Sequence, residues 1–168
     1  ARFTKGSAAS NGSAALAPGF VDWFRIADGP IDPESIAFEP QSHTVWITYS
    51  STNATITSIA VVDPVLPTTL YQASTGYIIG IPFDICVASP YVAVLGWGGG
   101  GNPELLIFNV GDYSLRHVLT LPSNYIQGKA MDYDSRRKVF VVLTSSGLTY
   151  HLVDPVSGGI TTHTFTAA

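Results

Sequence analysis

The sequence predicts an all-β fold, and three observations predict it. Short runs rich in Val, Ile, Thr, Phe and Tyr, residues that pack well on pleated strands, recur along the whole chain. Between them stand Gly, Pro, Asn and Asp, which interrupt strands and shape turns. No window keeps an apolar spacing of 3.6 residues without Gly or Pro breaking it, so no helix is expected.

The runs repeat. Thr75-Gly76-Tyr77-Ile78-Ile79-Gly80 returns as Ser123-Asn124-Tyr125-Ile126-Gln127-Gly128, and a degenerate copy stands at Asp28-Gly29-Pro30-Ile31-Asp32-Pro33. Ile31, Ile78 and Ile126 are therefore 47 and 48 residues apart, a period typical of repeated β-units. After each turn four strands are expected in the same order. First strands fall at 36–38, 85–87 and 130–133, and second strands at 44–49, 91–95 and 139–144. Third strands fall at 56–62, 105–110 and 148–153, before the turn formers Asp63-Pro64, Gly111-Asp112 and Asp154-Pro155. Fourth strands fall at 68–73, 115–121 and 160–166.

Three successive four-stranded units joined by like turns resemble the β-propeller superfamily, closest to the YVTN and NHL kinds. The likeness covers residues 20–166, with units at 31–73, 78–121 and 126–166. The Trp-Asp and Gly-His signatures of WD40 blades and the Kelch double glycine are absent, so the resemblance implies architecture and not activity. The competing expectation is a β-sandwich, which short, evenly spaced strands also fit.

Residues 1–20 read as an N-terminal strand at 2–4 and a polar loop, and 21–26 as a fourth strand of a preceding blade. The fold expected is thus a partial propeller of three blades plus a strand or two of another. With 168 residues, the chain is shorter than the roughly 190 that four such units need. The segment is accordingly expected to be completed by further chain or by another subunit, and to be poorly soluble alone.

Charge supports a covered surface. Only 12% of residues are charged, and between Glu39 and Glu104 the charged residues are Asp63 and Asp84. A free surface normally carries more, because charge keeps it soluble. Two settings fit: a protein packed within an assembly, such as a virion or phage-tail component, or an extracellular protein with a Ser/Thr/Asn surface. In the second setting the sequons Asn11-Gly12-Ser13 and Asn53-Ala54-Thr55 would matter. Eight scattered Lys and Arg give no phosphate-binding patch, so nucleic acid is not an expected partner. The triplet Arg136-Arg137-Lys138 follows Asp134 in an expected turn. The uncharged stretch 41–62 is too rich in Ser, Thr and Asn to insert into a membrane.

Catalytic patterns are wanting. Cys86 stands between Ile85 and Val87 and reads as a core residue. His43, His117, His151 and His163 show no metal-ligand spacing; His151 and His163 fall on adjacent expected strands, where they read as partly exposed neighbours. Residues 98–101, all glycine, lack the Lys-Ser/Thr ending of a phosphate loop and read as a hairpin tip. Some propellers are calcium-dependent, lactonase-like hydrolases with acids near the first strands, and such a hydrolase is the alternative expectation. Glu34, Asp84 and Asp132 stand near there but at non-equivalent positions of the repeat. No metal or cofactor is expected.

The remaining candidates are aromatic. Trp97 opens the glycine-rich hairpin and is the main candidate for a contact with a protein or, in an extracellular module, a glycan. Tyr77 and Tyr125 recur in the turns and are candidates for partner contact or blade packing. The function expected is a non-enzymatic structural or interaction module.

Overall fold

A computed structural model describes residues 31–51, 57–63, 68–75, 79–98, 102–122, 130–143 and 149–165. Twelve strands and no helix occur among the described residues. The first sheet holds β1 (Ile31–Glu39), β2 (Thr44–Ser51), β3 (Thr57–Asp63) and β4 (Thr68–Thr75). The second holds β5 (Ile79–Ala88), β6 (Tyr91–Gly98), β7 (Pro103–Asn109) and β8 (Leu115–Thr120). The third holds β9 (Met131–Asp134), β10 (Val139–Leu143), β11 (Thr149–Val153) and β12 (Ile160–Thr164). In each sheet the strands pair antiparallel in chain order. Three sheets replace the two stacked layers that a sandwich would require.

All twelve expected strands occur, with one systematic correction. β1 and β5 start earlier than expected, so that Ile31 and Ile79, read as turn residues, already pair with β2 and β6. Pro33 and Pro82 sit at register shifts, and both strands lie at sheet edges, where a missing N–H is tolerated. Residues 1–30, including the strands expected at 2–4 and 21–26, lie outside the described residues, as do Tyr77 and Tyr125.

The second sheet is the middle layer. Ile85, Val92, Val94, Leu106 and Phe108 pack with Trp46 and Val61 of the first sheet. Ala93, Leu95, Leu105 and Ile107 pack with Phe140, Val142 and Val153 of the third. Burial on both sides explains the unbroken Leu105-Leu106-Ile107-Phe108 run, because both faces of β7 must be apolar. Each of these side chains contributes about 1.5–3 kcal/mol on leaving water. The first strands of successive sheets touch: β1 meets β5, and β5 meets β9.

The turns repeat as well. Glu39 accepts the N–H groups of Gln41 and Ser42, and His43 then turns left-handed at φ 55°. Asp134 likewise accepts from Arg136 and Arg137 at 2.9 and 3.1 Å, before Lys138 at φ 59°. The turns after β7 and β11 match each other too. Asn109 N donates to Ser114 O and Asp154 N to Gly159 O, each at 2.9 Å, with Tyr113 and Gly158 left-handed.

Candidate functional site

Trp97 is where a hairpin residue should be, beside the glycine tip and paired with Pro103. It is half-buried, and its ring meets Phe83 edge-on at 5.9 Å. β5 thus supplies the partner that an exposed contact residue would lack.

The acids near the first strands serve the backbone. Asp84 accepts Ile85 N at 2.9 Å with one oxygen and Met131 N at 2.8 Å with the other, tying β5 to β9. Asp132 is exposed and accepts Tyr133 N at 2.7 Å; Glu34 is exposed on β1. Among the described residues no group of three His, Cys, Asp or Glu side chains is placed to hold a metal ion. Cys86 is half-buried against the core shared by the second and third sheets. Burial first, then the charges of Asp132 and Asp84, push its thiol up to about 11, so it stays protonated near neutral pH.

The two histidines of the third sheet do not meet. Tyr150 pairs with His163 and His151 with Thr162, so side-chain alternation sends the rings to opposite faces. His163 is exposed and stacks on Tyr150 at 5.2 Å. His151 is 1% exposed, which corrects its reading as a partly exposed residue. Its Nδ1 lies 2.9 Å from Thr162 Oγ1, and burial lowers its pKa. The basic triplet forms the expected turn, with Arg137 also paired to Asp134 at 3.2 Å.

Two features escaped the sequence. Glu39 is wholly buried beside an open cleft of about 280 Å³ lined by Gln41, Ser42, Ser89, Pro90, Val110 and Gly111. Burial alone would raise its pKa. Hydrogen bonds from the Ser42 hydroxyl and N–H, the Gln41 N–H and Ser89 outweigh that and hold it at about 2. A carboxylate so saturated braces its turn and is a poor proton acceptor. Arg116 of β8 also reaches across to the third sheet, donating to Pro155 O and Val156 O at 3.0 Å and lying 5.6 Å over the Tyr91 ring. Nothing in the chemistry of Arg alone points to carbonyls some forty positions away.

Exposed apolar side chains among the described residues include Val118 on β8 and Val156 after β11, and two further groups at the ends of the stack. Ile36 and Phe38 on β1 are 65% and 53% exposed, on the side of the first sheet away from the second. Beyond the third sheet, Leu143 is 38% and Phe165 49% exposed, with Phe165 4.8 Å from Tyr150. No protein-family model matches the chain, and no curated protein is similar to it.

Proposed function

We propose that the chain is a β-propeller segment that acts through its surfaces, as a non-catalytic structural or interaction module completed by protein partners. Three meandering four-stranded sheets with touching first strands, and a first turn that recurs in the first and third sheets, support the architecture. The observation that carries the functional reading is the exposure, among the described residues, of large apolar side chains at both ends of the stack. Large apolar side chains at Ile36, Phe38, Leu143 and Phe165 cost free energy in water and mark contact surfaces. The Trp97 ring, engaged by Phe83, gives the glycan-binding alternative less to work with, and the backbone duties of Asp84 do the same for the calcium hydrolase.

The test is sedimentation of the full chain together with fluorescence of an apolar dye such as ANS. The proposal expects a species that either associates or binds the dye. A compact, dye-silent monomer with one cooperative thermal transition would mean that the chain covers its own faces, and would sink the reading.

A further inference from the structure

The exposed faces have equivalents inside the molecule, and the strand register identifies them. Glu39–Thr44, Ala88–Tyr91 and Asp134–Val139 are the last pairs before the first turn of each sheet. Counting back from them, Phe38, Val87 and Tyr133 share one position, and Ile36, Ile85 and Met131 another. Ile85 and Val87 pack against the first sheet, at Trp46 and Val61. Met131 and Tyr133 pack with the core between the second and third sheets. In both cases these positions meet the preceding sheet. At Ile36 and Phe38 the same positions are exposed.

Counting forward from the same pairs, Trp46, Ala93 and Val141 correspond, as do Thr48, Leu95 and Leu143. Trp46 faces the second sheet and Ala93 and Leu95 face the third. Val141 and Leu143 alternate with Phe140 and Val142, which are buried toward the second sheet, and so look outward. The chain therefore carries both halves of a contact that it makes twice internally, one half on each end of the stack.

We infer that a second copy of this chain occupies both faces: the outer face of the first sheet of each copy packs on the outer face of the third sheet of the other. This rests on the propeller-segment reading. A head-to-tail contact that closes after two copies forms a symmetric dimer, and two sets of the three described sheets give six, inside the four-to-eight range of closed rings. The occupant is a second copy because the missing partner face, matched position by position, is already present on the chain. The new contact continues the sheet-to-sheet interfaces on either side of the second sheet.

The experiment uses the full chain, Phe38→Glu on one face and Leu143→Lys on the other, with circular dichroism to show that each variant is folded. Val156→Glu, on an exposed turn away from both faces, is the control. The wild-type chain and the control sediment as dimers. Each face variant alone weakens the dimer about thirtyfold or more, the effect of losing a contact-centre residue. Mixing the two variants restores dimers, because one contact is then unaltered and the other sets Glu against Lys. A dimer indifferent to both variants, or no recovery on mixing, overturns the inference, as do open-ended aggregates. A monomer overturns it too, and the dye then separates two failures. A dye-binding monomer keeps the propeller-segment reading and removes only the second copy, whereas a dye-silent monomer removes both. Should a face variant fail to fold, Ile36→Lys and Val141→Glu repeat the exchange at the neighbouring positions of the same faces.

Discussion

β7 and β12 are both strands of a four-stranded meander, yet they live in different surroundings. β7 buries nearly every residue of Pro103–Asn109, whereas β12 leaves four of its five residues exposed. Their sequences follow suit: Leu-Leu-Ile-Phe in the first, Thr-Thr-His-Thr in the second. An inner strand of a sheet covered on both faces has no solvent side, so alternation disappears. An edge strand on an end sheet keeps one neighbour and much water. The position of a strand in the stack, more than its membership of the repeat, sets its composition.

The largest effect expected from this contrast is at Phe108. Its ring is buried between the first two sheets, 6.0 Å from Trp46. Phe108→Ala should cost about 3–5 kcal/mol by denaturant unfolding. The same truncation at Phe38, measured at a concentration too low for association, should stay within about 1 kcal/mol, because the side chain is already half in water. Equal costs at the two sites would break the distinction between middle and end sheets.

A smaller effect separates the two acidic turns. Glu39 is buried and Asp134 lies near the surface, although both brace their turns through N–H groups two and three residues on. The Glu39 carboxyl has its folded pKa depressed to about 2 from 4.5. Its contribution to stability is therefore present above about 4.5 and is lost as pH falls toward about 2. Glu39→Gln should cost on the order of 1–3 kcal/mol at neutral pH and flatten the stability profile across that window. A profile unchanged by the substitution would show that the turn holds without the charge.

The smallest effect sharpens the comparison of the turns after β7 and β11. Gly158 has φ 74°, and a Cβ there would stand 3.2 Å from His117 Nδ1 and 3.3 Å from Leu119 Cδ2. Gly158→Ala should cost about 1–2 kcal/mol from the left-handed backbone, with crowding of β8 added. Tyr113 holds the equivalent place with a side chain, so Tyr113→Gly should relieve that conformational cost while losing the packing of its ring on Trp46 at 5.8 Å. A Gly158→Ala variant whose thermal midpoint does not fall would undo the left-handed requirement that makes the two turns equivalent.

The strand order was legible because each strand signals locally. Val, Ile and Phe runs bounded by Asp-Pro, Gly-Asp or Ser-Pro mark their own ends, and the recurrence of Ile31, Ile78 and Ile126 marks the period. The early starts of β1 and β5 were hidden because proline reads as a break until a register shift accommodates it. Trp97 was read correctly as a hairpin residue but not as the partner of Phe83, fourteen positions back, since that meeting depends on pairing β5 with β6.

By itself the sequence determined an all-β chain of four-stranded units, the boundaries of most strands, and the scarcity of charge between Glu39 and Glu104. These follow from backbone preference and from the interactions of near neighbours. Only the tertiary structure decided which faces are covered. It buried Glu39 and His151, sent His151 and His163 to opposite sides of one sheet, and carried Arg116 to the carbonyls of Pro155 and Val156. It also left Ile36 and Phe38 in water where Ile85 and Val87, at the same repeat positions, are packed. The reason is physical: an apolar residue on a strand requires a cover, but what supplies that cover is set by sheets stacking at long range.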